Sequence, residues 1–165
     1  MSAEEFGIRP GEEMASLPAT FDAGLHFIGR LRTPWRTRTE CPKNGLQTDT
    51  VCTVEVAAPY VPGLRTITGC THLILLYWME QATRGLVVQQ PRHADGPRGT
   101  FALRSPARPN PIALSVVELL GRDGDTLRVR GLDCIDGTSL LDIKPYYAST
   151  DSRPEAQVDR AGAAP

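Results

Sequence analysis

The feature that most limits how this chain can fold is Arg122-Asp123-Gly124-Asp125, set between two runs rich in aliphatic and β-branched residues. An Asp-Gly pair enters tight turns readily because it supplies the positive φ angles such turns need. Residues 112–120 and 126–132 are therefore read as the two strands of one hairpin. Four more strands are read at 25–32, 50–56, 71–79 and 140–144. In 50–56, Cys52, Val54 and Val56 alternate with Thr53 and Glu55, the period of a half-buried strand. The run 71–79, T-H-L-I-L-L-Y-W-M, is apolar almost throughout. It reads as a strand buried on both faces, although periodicity alone is equally compatible with a helix. A helical turn is read in 62–67. Short strands at this spacing, with few helical stretches, indicate an all-β fold, an antiparallel barrel or sandwich with long loops.

A chain of 165 residues is about one domain. No apolar run approaches the roughly 18 residues that a membrane span needs. Glu4, Glu5, Glu12 and Glu13 stand where a signal peptide would be basic and then apolar, so a cytoplasmic location is expected. Net charge is −1, but it is unevenly spread: residues 1–24 carry five acids and one base, whereas 25–146 carry fifteen Lys plus Arg against eleven Asp plus Glu. The reading is a flexible acidic segment at 1–24, a working domain at 25–147 and a flexible tail at 148–165. Cys41, Cys52, Cys70 and Cys134 have neither a C-x-x-C pair nor a nearby histidine pair, so they are read as free thiols and no metal is expected. The glycine patterns of Rossmann and P-loop folds are absent, as is a serine elbow.

Proline and glycine punctuate 33–48, 90–99 and 104–111, and loops on a β scaffold are where binding groups usually sit. Arg104-Ser105-Pro106-Ala107-Arg108-Pro109-Asn110-Pro111 holds three prolines in six residues. Each fixes its own φ and restricts the residue before it, so two guanidiniums and an amide are held on a stiff segment. Such a set suits a carboxylate, a phosphate or a purine edge. A surface loop with solvated arginines reads equally well from composition. In 133–146 an Asp136-Gly137 turn precedes a strand whose alternation puts Asp142, Lys144 and Tyr146 on one face. The plain alternative is an exposed face with a weak Asp/Lys pair. In 33–45, Arg36, Arg38 and Lys43, with Arg30 and Arg32 just before, outnumber Glu40, and Trp35 offers a stacking face for an unpaired base. A solvated basic loop is the alternative there. His72, inside the apolar run, reads as a core histidine; His26 and His93 carry less information.

Taken together, G-T-F-A-L-R-S-P-A-R-P-N-P-I-A-L-S-V-V-E-L (99–119) and D-G-T-S-L-L-D-I-K-P-Y (136–146) resemble the two signature stretches of the TrmO/TsaA-like (YaeB-like) family. I-G-R-L-R-T-P-W (28–35) and G-C-T-H-L-I-L-L-Y-W (69–78) follow that family's order and spacing. The resemblance implies a single-sheet β-barrel that binds S-adenosylmethionine without a Rossmann fold, as a homodimer with the cofactor near the interface. It also implies methyl transfer to N6 of threonylcarbamoyladenosine beside the tRNA anticodon. Carried over position by position, Phe101, Arg104, Ser105, Arg108, Pro109 and Asn110 would form one wall of the cofactor site and Asp136, Gly137 and Thr138 another. Asp142, Lys144 and Tyr146 would stand close to the reacting groups, and Arg36, Arg38 and Lys43 would meet the tRNA anticodon loop. The family's P-R-Q is here Pro42-Lys43-Asn44, which keeps the proline and the charge and loses the glutamine. Longer bacterial relatives carry a second domain after the equivalent of Tyr146. The expectation is then that RNA is gripped by the basic loop or a dimer partner, or that the acceptor is a different one.

Overall fold

The computed structural model describes residues 8–91 and 94–158, so His93, Glu4 and Glu5 lie outside the described residues. Among the described residues nine strands follow in chain order: β1 (Glu13–Met14), β2 (Gly29–Arg32), β3 (Val51–Val56), β4 (His72–Trp78), β5 (Leu86–Gln89), β6 (Arg98–Gly99), β7 (Ile112–Asp123), β8 (Thr126–Arg130) and β9 (Ser139–Pro145). One short helix, α1 (Ala148–Asp151), comes after them. The chain divides into two compact units.

The larger unit, residues 23–80 and 112–152, holds a closed barrel in the order β2-β3-β8-β7-β4-β9. Every pairing in it is antiparallel. Alternation along the strands decides what fills it: Leu31, Cys52, Val54, Val56, Leu73, Leu75, Tyr77, Val117, Leu127, Val129 and Leu140 are all buried. A fully buried aliphatic side chain contributes about 1.5–3 kcal/mol, so this interior is the main source of the barrel's stability. The hairpin forms where the sequence placed it, with Asp123 opposite Thr126. Its loop is shorter than the expected 122–125, with Gly124 at φ 60 and both Arg122 and Asp123 still in the strand.

Three readings need correction. The strand read at 25–32 is regular only over Gly29–Arg32. β4 is not buried on both faces: Leu73, Leu75 and Tyr77 point inward, while Ile74, Leu76 and Trp78 are only partly covered and His72 is exposed. The helical turn read at 62–67 is two 3₁₀ turns, Ala58–Leu64 and Ile67–Gly69.

A bulge in β9 sets the direction of its side chains. Leu76 of β4 faces Asp142 and Tyr77 faces Leu140, so Leu141 is an extra residue. Leu140, before it, is buried in the barrel; Asp142 and Lys144, after it, align with the outward residues Leu76 and Ile74. An inserted residue reverses the in/out assignment of everything that follows.

The smaller unit, residues up to 22, 81–111 and from 153, holds the sheet β1-β5-β6, which makes the fold more than a single sheet. The N-terminal segment was expected to be mobile throughout, yet Glu13–Met14 pairs with β5. The Glu12 carboxylate accepts from Arg9 Nη2 at 2.6 Å and from the Gln90 amide at 3.1 Å. Two strands of only two residues each give almost no periodic signal, which is why the sequence did not disclose this sheet.

Candidate active site

On the barrel's outer wall, Lys144 Nζ lies 2.6 Å from Asp142 Oδ2, and Asp142 Oδ1 accepts from the Ile143 amide at 2.9 Å. Both side chains are about half exposed, so the pair adds at most about 1 kcal/mol to stability and mainly fixes where the carboxylate points. Tyr146 follows on the same side, its ring centroid 6.4 Å from that of His72. His72 is therefore a surface residue at the start of β4, not a core histidine. The three residues expected near the reacting groups do share one face. Beside them run Ile74 with Val116, Leu76 with Leu114, and Trp78 with Ile112, an apolar strip in which Ile112, Leu114 and Val116 are 40–43% exposed.

The Asp136-Gly137-Thr138 bend is tied to β2 and the residues just after it. Gly137 N donates to Leu31 O at 2.8 Å, Leu31 N to Thr138 O at 2.9 Å, and Thr33 N to Asp136 Oδ1 at 3.1 Å. The Thr138 hydroxyl donates to Ile135 O at 2.6 Å. The backbone is engaged as well, with Asp136 N donating to Trp35 O at 2.7 Å and Thr138 N to Ile135 O at 3.3 Å, so side chains and backbone alike are occupied in shaping the bend. Arg30, read from the sequence only as part of the basic stretch, completes the brace with Glu80 and Ser139, which that reading did not single out. Arg30 Nη1 donates to Gly137 O at 3.0 Å, to Ser139 Oγ at 2.5 Å and to Glu80 Oε1 at 3.1 Å, and Ser139 also donates to Glu80. Their separation in the chain, 50 and 109 residues from Arg30, leaves no local signal to find them by.

Inside the barrel, the Tyr77 hydroxyl donates to Asp133 Oδ1 at 3.0 Å and shares a 2.9 Å bond with Ser115 Oγ. Burial pushes the Tyr77 phenol well above its ordinary range. Burial likewise pushes the Cys52 thiol up to about 11 and the Cys134 thiol up to about 12, so both stay protonated near neutrality.

The basic loop after β2 departs from expectation at Trp35, whose side chain packs against the barrel core. Glu40 Oε2 accepts from the Arg36 and Thr37 amides at 2.6 and 3.2 Å, bonds that hold its carboxyl below the ordinary range. Arg36, Arg38 and Lys43 are all exposed along the same loop.

In the smaller unit, the proline-rich loop is stapled by its own arginine. Arg108 Nε donates to Ser105 O at 2.8 Å, and its Nη2 donates to Leu103 O at 2.5 Å and to Thr100 O at 3.4 Å. Arg108 thus holds the loop's shape. Gln89 Nε2 donates to Ala107 O at 2.6 Å, Arg84 Nε to Pro109 O at 2.7 Å and Arg84 Nη2 to Asn110 Oδ1 at 3.5 Å, with the Arg84 guanidinium 5.4 Å above the Phe21 ring. What the loop offers outward is Phe101, 83% exposed on a single 3₁₀ turn, together with Arg104 and Asn110. Among the described residues no helix is long and apolar enough to cross a membrane, and no cluster of three His, Cys, Asp or Glu is placed to hold a metal.

Fold and site together define a closed antiparallel β-barrel protein whose ionisable groups stand on the outer wall rather than at the glycine-rich turn of a nucleotide fold. The family described as tRNA-methyltransferase O N-terminal domain matches residues 30–152, and the chain belongs to that family. It is 39% identical over 158 residues to a probable S-adenosyl-L-methionine-binding protein, VirR of Rhizobium radiobacter, covering 96% of this chain and 89% of the relative. It is 35% identical to a tRNA (adenine(37)-N6)-methyltransferase of Escherichia coli K12, over 84% of this chain and 63% of that one. A crystal structure of TrmO from Pseudomonas aeruginosa superposes with a TM-score of 0.71 at 30% identity, covering 86% of this chain and 64% of that one. The chain thus spans just under two thirds of the length of these last two.

Proposed function

We propose that this protein is an S-adenosylmethionine-dependent methyltransferase acting in the cytoplasm on N6 of threonylcarbamoyladenosine at position 37 of tRNA, beside the anticodon. The observation that carries this reading is the similarity to the E. coli tRNA (adenine(37)-N6)-methyltransferase along 84% of the chain. Phe101, Arg104, Ser105, Pro109 and Asn110 are assigned to the cofactor, whereas Asp136, Gly137 and Thr138, expected as a second wall, are assigned to holding their own bend, because their amides and the Gly137 and Thr138 carbonyls already have partners. The residues fit such a ligand: an exposed phenyl face takes a purine or a sulfonium cation, and an exposed guanidinium takes a carboxylate. Arg108, expected as a contact, is assigned to holding the loop.

Held by Phe101 and Arg104, S-adenosylmethionine would supply an electrophilic methyl group for N6, leaving as the neutral thioether. No covalent enzyme intermediate is needed, so positioning provides most of the rate. Asp142 accepts the proton that leaves N6, restoring the delocalised nitrogen to neutrality. Lys144 keeps that carboxylate oriented through the 2.6 Å contact, and Tyr146 borders the same face. Arg36, Arg38 and Lys43 attract the anticodon loop and the threonyl carboxylate. The test is transfer of labelled methyl to tRNA from cells lacking the modification. Label is expected in tRNA carrying threonylcarbamoyladenosine and none in tRNA with plain adenosine at that position.

A second reading is favoured by VirR, which aligns with 96% of this chain: a non-catalytic S-adenosylmethionine-binding protein, or one that methylates a small molecule. Cofactor binding without label in any tRNA would select it.

The same proposal includes a homodimer through the outer strip of β4 and β7. Three pairs of apolar side chains in register, rimmed by Asp142 and Lys144, make a self-complementary patch for a second copy. Val116→Glu, which puts a charge into that strip at a side chain 43% exposed in one chain, is expected to weaken self-association at least tenfold in sedimentation equilibrium without lowering Tm. A wild-type protein that is monomeric at high concentration rules the dimer out.

A further inference from the structure

The loop between β2 and β3 carries the most exposed large apolar side chain among the described residues, Leu46 at 99%. A single exposed leucine is ordinary. What sets this one apart is how firmly it is presented. Gly45, just before it, lies flush on the residue that follows β8: a Cβ there would sit 1.9 Å from Gly131 O, so only glycine fits. Asn44 Oδ1 accepts from the Leu46 amide at 3.0 Å, and the Gln47 amide donates to Asn44 O at 3.1 Å. Behind it, Thr48 Oγ1 bonds Thr50 Oγ1 at 2.8 Å. Leu46 therefore stands at the tip of a one-turn 3₁₀ helix anchored on both sides, and its side chain cannot retreat by a small loop movement.

The loop that leads to it, residues 33–45, is cationic, with Asp49 the nearest acid after it. Glu40, the only acid between residues 33 and 48, directs one oxygen at two backbone amides. Among the described residues no ion pair engages Arg36, Arg38 or Lys43. Trp35, the residue of this loop best suited to stacking, faces the core. That leaves an anchored apolar tip on a loop with three exposed cations, the combination that pries into unstacked nucleic acid: side chains such as leucine insert between bases while guanidiniums and amines hold phosphates.

We infer that Leu46 is a wedge that enters between unpaired bases of a single-stranded RNA loop, with Arg36, Arg38 and Lys43 on the flanking phosphates. The inference rests on tRNA being the acceptor and adds how the target nucleotide is made accessible. An adenosine in an anticodon loop is already unpaired, so separating it from its neighbour takes only unstacking, a task within reach of one apolar side chain.

The test uses the full chain and an anticodon stem-loop RNA carrying 2-aminopurine next to the target adenosine, a base whose fluorescence rises when it is unstacked. Wild-type protein is expected to raise the signal on binding. Leu46→Ser should bind the RNA within about threefold of wild type yet lose the rise, and kcat/KM for tRNA should fall roughly tenfold with KM for S-adenosylmethionine unchanged. Leu46→Met, which keeps apolar bulk, should restore both. Because the side chain is 99% exposed, neither substitution should alter folding, which a thermal melt checks. A Leu46→Ser protein with wild-type fluorescence and turnover overturns the wedge and leaves the tRNA reading standing. A wild-type protein that binds S-adenosylmethionine but neither binds nor methylates the RNA removes both.

Discussion

Asp142→Asn is expected to lower kcat for methyl transfer about 100-fold or more while S-adenosylmethionine affinity stays within about threefold. The substitution keeps the size of the side chain and an oxygen for the Ile143 amide, so the strand and the bulge before it should survive. It removes the carboxylate assigned to take a proton from N6 as the new bond forms. Lys144 loses its partner too, but an exposed ion pair is worth about 1 kcal/mol or less, too little to account for a loss of that size. Single-turnover rates with bound cofactor make the measurement independent of product release. A rate within threefold of wild type would remove Asp142 from the mechanism and turn attention to Tyr146, four residues further along the same wall.

The second large effect is on folding. Gly29→Ala is expected to destabilise the protein by about 3 kcal/mol or more and to lower Tm by roughly 10 °C, read from circular dichroism on heating. β2 is the strand that closes the barrel, with Gly29 facing Val56 of β3 on one side and Leu140 of β9 on the other. An added Cβ would meet Glu55 O at 2.1 Å and both the Glu55 carbonyl carbon and Val56 Cα at 3.1 Å. These are backbone atoms locked in a ladder, so no side-chain rotation relieves the clash. A change in Tm of less than 2 °C would mean that the β2–β3 pair slides at no cost.

What could be read from the sequence follows how local each cause is. Alternation in 50–56 and the Asp-Gly turn are local, and both appear as strands of the barrel in the expected place. That Asp142, Lys144 and Tyr146 share a face is local as well. The brace of Arg30, Glu80 and Ser139 is not, because its members meet only after three distant segments pair. Arg108 shows a different limit. A guanidinium on a stiff loop is equally suited to gripping a ligand and to gripping the loop, and only its three carbonyl partners decide for the loop. Trp35 departed from its expected role for a similar reason: aromatic character made the tryptophan look like the contact, but burial is set by which residue the barrel needs for packing. β4 looked doubly buried because its outer apolar residues are as hydrophobic as its inner ones, and composition cannot say which face is covered.

The extra residue at Leu141 has a consequence for how this protein can vary. Leucine itself matters little there; what counts is that the position exists. Were β9 one residue shorter at that point, Asp142 and Lys144 would take the inward slots of the strand, and the barrel would have to bury a carboxylate and an ammonium where it now packs aliphatic side chains. A substitution at 141 is thus expected to be tolerated where a deletion is not, and the part of the wall assigned to chemistry depends on counting residues as much as on choosing them.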